Sequence, residues 1–420
     1  MAHQVYNLFY DNILVPMQFR FSDSLKNLRP SEIRELLKYA SAKDFISFGG
    51  GMPNPLTFPM DDIREIMDDV LSQYGSLALQ YGNTGGLNDL RTEIKNLVLE
   101  TEKIKTSEQN IIVTSGSQQG LYELAKVLVN PGDAVITEEP TYVGAISAFD
   151  ANKADMHSIS IDNEGMRTDV AETEIKKLIS EGRRPKFIYT IPTFQNPTGI
   201  TMSLERRKHL IEISKQFDVP LVEDNPYGEL RYSGGRIPML SALDKDASVV
   251  YLGTFSKVMC PGLRMGYTIG PEEFVGKFNL LKQALDLSSS TFSQYVAWQY
   301  LKRGIIKKQI PKSIELYRKK RDAMLKALDE YFPENSSWSK PDGGMFLWAT
   351  VDSRINTTDM LKDAIQEGVA YVSGNAFSPA RSQANSMRLN FTFSEENQIY
   401  RGIEKLGNLV QKKVGPLQSN

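Results

Sequence analysis

From residue 110 onward, short runs of apolar and β-branched residues alternate with stretches in which apolar positions recur every three to four residues. The runs at 111–114, 134–137, 186–190, 220–223 and 248–252 read as strands. Between them lie helical patterns such as 120–129, closed by Pro131-Gly132-Asp133, and 204–217. This alternation predicts a mainly parallel sheet covered by helices on both faces. Parallel sheets bind ligands at the carboxyl ends of their strands, and Ser115, Asp224 and Lys257 each follow a strand candidate. The pattern therefore predicts one shared site.

After Ser288-Ser289-Ser290 the texture turns helical, and 305–331 reads as one long, charged, amphipathic helix. Gly343-Gly344-Met345-Phe346-Leu347-Trp348, a helix over 358–367, Met387-Arg388-Leu389-Asn390-Phe391 and a final helix over 394–413 predict a second, smaller α/β unit. The N-terminal segment carries Phe9, Tyr10, Phe19 and Phe21. It is too apolar for a disordered tail and is expected to pack on the body or on a partner.

Composition narrows the function classes. At 420 residues the chain suggests about two to three domains. Its formal net charge of −2 gives no electrostatic reason to expect nucleic acid or an anionic membrane as partner. No apolar run reaches the about 18 residues of a membrane span, and Met1-Ala2-His3-Gln4-Val5-Tyr6 lacks the basic-then-apolar order of a signal peptide. A cytoplasmic location is the expectation. Cys260 is the only cysteine, so neither an internal disulfide nor a cysteine metal cluster can form, and it reads as a small packed residue. His3, His157 and His209 are the only histidines and none sits in a motif, which argues against histidine acid–base chemistry and against a metal site.

The densest chemistry lies between Asp224 and Gly266. A strand pattern runs into Gly253-Thr254-Phe255-Ser256-Lys257, and Gly262-Leu263-Arg264-Met265-Gly266 follows. A desolvated lysine beside a cation has a lowered pKa and can attack a carbonyl, while Thr254, Ser256 and Arg264 suit a phosphate. Ser117-Gln118-Gln119 opens a helix just after Gly116, so its free N–H groups form an anion site; Ser117 serves equally well as a simple N-cap. Asp224, at the end of a buried strand, needs a partner, or else caps the turn before Pro226.

Taken in order, Tyr81, Ser115-Gly116-Ser117-Gln118-Gln119, Pro140-Thr141-Tyr142, Asn196-Pro197-Thr198-Gly199, Asp224-Asn225-Pro226-Tyr227, Ser256-Lys257, Arg264 and Arg388-Leu389-Asn390-Phe391 resemble the fold-type I pyridoxal-phosphate aminotransferases. The resemblance is nearest the branch of 2-aminoadipate and kynurenine aminotransferases with their archaeal aromatic and branched-chain relatives, and it spans nearly the whole chain. It implies pyridoxal 5'-phosphate attached to Lys257, with Asp224 on the pyridine nitrogen, Tyr142 stacked on the ring, and Asn196 and Tyr227 on the phenolic oxygen. Gly116, Ser117, Gln118, Thr254, Ser256 and Arg264 are implied to surround the phosphate, with Tyr81 contributed from the neighbouring subunit of a homodimer. Arg388, Asn196 and Gly51 are implied at the substrate carboxylate side, and Arg34 at an acidic substrate side chain. Helix-surface pairing of Arg34 with a nearby glutamate explains that residue as well.

The implied organisation is an N-terminal segment over 1–50, a large cofactor-binding domain over 51–304 and a small domain over 305–420. The implied reaction moves an amino group from 2-aminoadipate, an aromatic or a branched-chain amino acid to 2-oxoglutarate. Two alternatives share the fold: another pyridoxal-phosphate reaction, such as decarboxylation or β-elimination, and a regulator's effector domain. The regulator reading predicts a basic winged-helix unit before residue 33, for which the sequence offers too few residues.

Overall fold

The computed structural model describes residues 19–22, 32, 44–244, 246 and 248–414. In chain order the strands are β1 (Ile46–Ser47), β2 (Ile111–Thr114), β3 (Ala134–Glu139), β4 (Asp155–Asp162), β5 (Gly165–Met166), β6 (Ile188–Thr190) and β7 (Leu221–Asn225). They continue as β8 (Val249–Thr254), β9 (Gly266–Ile269), β10 (Ser337–Trp338), β11 (Phe346–Thr350), β12 (Val369–Ala370), β13 (Val372–Ser373) and β14 (Ser386–Asn390).

Eight strands form one sheet in the order β2-β9-β8-β7-β6-β3-β4-β5. The run from β8 to β4 is parallel, while β9 opposes both its neighbours and β5 opposes β4. Successive residues along the central strands enter different cores: Val222, Tyr189 and Val250 pack with Leu121 and Phe149, whereas Leu221, Ile188 and Val249 pack with Ile175 and Leu210. That period of two, apolar on both sides, is what covering both faces with helices requires. All five strand candidates of the sequence lie in this sheet. Asp224 falls inside β7 rather than after it, because β7 stays paired with β8 through Asn225↔Gly253.

A second, four-stranded antiparallel sheet has the order β10-β11-β14-β13. The helices Ile305–Tyr331, Thr357–Gln366 and Glu396–Val414 contribute to its core with Leu347, Leu389 and Phe391. The early segment joins this body: β1 pairs in parallel with β12, Phe48 N–H donates to Ala370 O at 2.8 Å, and Asn390 N–H donates to Phe48 O at 2.8 Å. Phe19 and Phe21 lie exposed on the chain, with no packing on its own body to cover them. Among the described residues no helix is long and apolar enough to cross a membrane.

Candidate active site

The carboxyl ends of β3, β6, β7 and β8 converge on a cavity of about 280 Å³. It is lined by Gly51, Ser117, Gln118, Tyr142, Asn196, Asp224, Tyr227, Thr254, Ser256, Lys257, Arg264 and Arg388, together with Met52, Ile191, Pro226, Pro261 and Phe346. Residues separated by more than 300 positions thus meet in one place.

Lys257 follows β8, and its Nζ donates to Gly51 O at 2.7 Å. Burial lowers its pKa to about 8, and the Arg388 and Arg264 charges push the same way. A substantial neutral fraction near pH 8 makes the amine a nucleophile. Asp224 is 2% exposed. Its Oδ2 accepts from Tyr189 Oη at 2.9 Å, while Oδ1 is buried without a partner. Burial pushes this carboxyl up to about 7; the Tyr189 bond opposes the rise and Glu138 adds to it. Asp224 therefore does not cap the following turn.

Arg388 reaches the cavity from β14, with 1% of its surface exposed. Its Nη1 donates to Asn196 Oδ1 at 2.9 Å and its Nη2 to Gly49 O at 2.8 Å, and Nε is buried without a partner. The guanidinium carbon stands 4.1 Å from the Phe346 ring centre and 4.8 Å from that of Phe377. Arg388 is thus a buried residue of β14 held by two neutral oxygens, not a surface arginine. Asn196 Nδ2 donates to Tyr227 Oη at 3.0 Å, so Arg388, Asn196 and Tyr227 form one chain of hydrogen bonds.

At the other side, the helix Ser117–Leu128 starts on Gly116, whose φ is 79° and which provides no side-chain cap. Ser117 is thus the first helical residue and not the cap, which leaves the amides of the first turn free for an anion. A Cβ on Gly116 would lie 2.5 Å from Arg264 Nη2, the movable end of a side chain, so it is the positive φ that calls for glycine there. Arg264 itself adopts φ 54°, a strained conformation for a non-glycine residue of the kind that gathers at ligand clamps. Thr254 Oγ1 donates to Ser256 Oγ at 3.0 Å beside it. Gln118 Nε2 donates to Gly144 O at 2.8 Å, tying this helix to the Tyr142 turn.

Two expected residues, Ser115 and Tyr81, do not line this cavity; the Ser115 N–H donates to Gln119 Oε1 at 2.6 Å. Tyr81 is 82% exposed, so it is not a core aromatic, and it does not line the cavity of its own chain. Arg34 lies outside the described residues. Cys260 packs half-buried against Tyr300 and its neighbours, and burial pushes its thiol up, away from reactivity. Among the described residues no group of three metal-ligating side chains occurs.

The sequence reading missed Tyr189 and Glu138. Glu138 is fully buried on β3 and accepts from Thr190 Oγ1 at 2.5 Å, Ile191 N–H at 3.2 Å and Gln195 Nε2 at 3.1 Å. A carboxylate inside an apolar strand was the available signal.

The sequence profile described as aminotransferase class I and II matches residues 44–406. The chain belongs to this family. The aromatic-amino-acid aminotransferase 1 of Thermococcus litoralis is 46% identical to this aminotransferase over 394 residues, covering 94% of each chain. The Pyrococcus horikoshii kynurenine aminotransferase, solved in complex with PMP, KYN as substrates and KYA as products, superposes with TM-score 0.91 at 44% identity, covering 94% of this chain and 98% of the other. The α-aminoadipate aminotransferase of Thermus thermophilus, complexed with N-(5'-phosphopyridoxyl)-L-leucine, superposes with TM-score 0.86 at 32% identity over 94% and 98% of the two chains. The aminotransferase is a fold-type I enzyme of this branch, and its cofactor is pyridoxal phosphate. Its own residues fit that group: an unpartnered carboxylate oxygen in a buried wall, an uncapped helix start beside an arginine, and a lysine between them.

Proposed function

We propose that this aminotransferase moves the amino group of an α-amino acid to 2-oxoglutarate in two half-reactions of a ping-pong cycle. The observation that carries the reading is that one cavity gathers Lys257, a buried carboxylate with one free oxygen and a buried guanidinium with no acidic partner among the described residues. When bound, pyridoxal phosphate supplies a carbonyl that takes up amines and a ring that accepts the electron pair left at Cα.

The protein's part follows from its groups. Lys257 would hold the cofactor through the cofactor's carbonyl carbon and, once released as a free amine, would serve as the base that takes and returns the substrate's Cα proton. Asp224 Oδ1, buried without a partner, would receive the pyridine nitrogen and favour its protonated form. Tyr142 would stack on the ring, and Asn196 and Tyr227 would donate to the phenolic oxygen; burial keeps the Tyr227 hydroxyl protonated far above neutral pH, so it stays a donor. Gly116, Ser117, Gln118, Thr254, Ser256 and Arg264 bind the phosphate. Arg388 and Asn196 take the substrate α-carboxylate, with Gly51 bordering the same space. The relatives named for aromatic amino acids, kynurenine and α-aminoadipate, the last holding a leucine derivative, support aromatic, branched-chain or 2-aminoadipate donors. Arg34 is the candidate for meeting an acidic side chain. Tyr81, exposed beside exposed Leu77 and Leu79, fits a two-fold dimer in which each chain completes the other's phosphate site.

Borohydride reduction followed by peptide mapping tests the reading. The label is expected on Lys257, and Lys257→Ala is expected to lose essentially all turnover with every amino acid offered against 2-oxoglutarate. Label on another lysine sinks the mechanism.

A further inference from the structure

Tyr189 stands on β6 opposite Val222 of β7, and Asp224 lies two residues further along β7. Side chains two apart share a sheet face, and a diagonal neighbour across two strands is within reach of an aromatic ring. The ring of Tyr189 is wholly buried, edge-on to Phe149 at 5.4 Å between centres, and so has little freedom to turn away. Its hydroxyl ends 2.9 Å from Asp224 Oδ2. Among the described residues it is the only hydrogen-bond partner of that carboxyl.

The other groups facing Asp224 donate nothing to it. Glu138, behind it on β3, is occupied by Thr190, Ile191 and Gln195. Tyr142 bonds to Gln118, and Tyr227 to Asn196. One oxygen of Asp224 is therefore fixed from behind and the other is left bare toward the cavity.

We propose that Tyr189 is a positioning residue that holds the plane of the Asp224 carboxylate through Oδ2 and so reserves Oδ1 for the cofactor's ring nitrogen. The inference rests on the assignment of Asp224 to that nitrogen. Two physical effects follow from one bond. Rotating the carboxylate would break it, so the open oxygen keeps its aim. Donation to the ionised form also favours the charge that holds a proton on the ring nitrogen.

The test uses the full-length protein reconstituted with pyridoxal phosphate labelled with 15N in the ring, whose chemical shift reports whether the nitrogen is protonated. Tyr189→Phe removes only the hydroxyl. It is expected to shift the 15N signal toward the neutral pyridine and to weaken cofactor binding roughly tenfold, the scale of a hydrogen bond to a charged group. Phe149→Leu disturbs the same packing without touching the hydroxyl; it is expected to lower Tm but leave the 15N signal in place. Should Tyr189→Phe not fold, Tyr189→3-fluorotyrosine supplies a more acidic donor and is expected to move the signal the opposite way. Asp224→Ala separates the two levels of the argument. If it moves the signal and the Tyr189 variants do not, the positioning role is overturned and the Asp224 assignment stands; if Asp224→Ala leaves the signal unchanged, the assignment itself falls. A Phe149→Leu shift equal to that of Tyr189→Phe would reduce Tyr189 to packing.

Discussion

The cavity has two charged ends, and they are built in opposite ways. At one end, Asp224 receives one hydrogen bond and keeps one oxygen bare. At the far end, Arg388 is engaged by two neutral oxygens and lies between the faces of Phe346 and Phe377. Among the described residues neither has an opposite charge in contact, so burial acts on both: it raises the acid to about 7 and lowers the guanidinium to about 10. Near neutral pH the carboxyl can change its protonation state and the guanidinium cannot. The basic end is thus a fixed charge awaiting an anion, whereas the acidic end depends on its neighbours to stay ionised.

Removing each end separately breaks the comparison. Asp224→Ala is expected to lower kcat roughly a thousandfold with the fold intact by circular dichroism, the scale of losing a preorganised electrostatic contact, and Asp224→Glu is expected to retain more. Near-wild-type turnover in the alanine variant refutes the assignment. Arg388→Ala is expected to raise KM about a hundredfold for every amino acid regardless of side chain, because the carboxylate is common to all. Arg388→Lys should recover little, since lysine lacks the planar fork that bonds two oxygens and lies between the rings. A KM effect confined to acidic donors would move the carboxylate contact elsewhere.

Dimer exchange gives a smaller effect. When Tyr81→Ala/Lys257→Ala chains are mixed with wild type, each hybrid keeps one lysine-bearing site that lacks the donated tyrosine. Cofactor affinity at that site is expected to fall about tenfold, the scale of one charge-assisted hydrogen bond. A monomer at working concentration, or unchanged affinity in hybrids, overturns the shared site.

The smallest effect sharpens what an unserved buried carboxylate costs. Glu123 is buried with both oxygens unpartnered, and burial pushes it up to about 8 from 4.5. The folded chain therefore keeps a proton that the unfolded chain releases, and stability falls as pH rises between those two values, by at most about 1.4 kcal/mol per pH unit. Thermal melts from pH 5 to 9 should show a shallower decline in Glu123→Gln than in wild type. Parallel curves would mean that Glu123 is already served.

Much of this was legible in the sequence, and the gaps have physical causes. The central strands announced themselves because burial on both faces makes them continuously apolar. β4 did not: Asp155–Asp162 is largely half-exposed, and its single pairing beyond β3 is with short β5, so polar residues interrupt it. β9 was hidden by Gly266, which starts it; a Cβ there would meet Gly116 and Ser117 backbone at 2.8 Å, so its glycine serves close approach rather than a turn. The residues lining the cavity were legible as an ordered set of motifs. Tyr189 was not, since a tyrosine in an apolar strand reads as core until its hydroxyl is seen to have a destination.

Two carbonyls on the early segment carry a further consequence. Gly49 O holds Arg388 and Gly51 O holds Lys257, with a single residue between them. That segment is anchored through Phe48 to β12 and β14, while Lys257 hangs from β8. Arg388 and Lys257 are thus tethered to one short strap of about 7 Å. The two therefore share one support: a change that shifted the backbone over 49–51 would reach the guanidinium and the amine together.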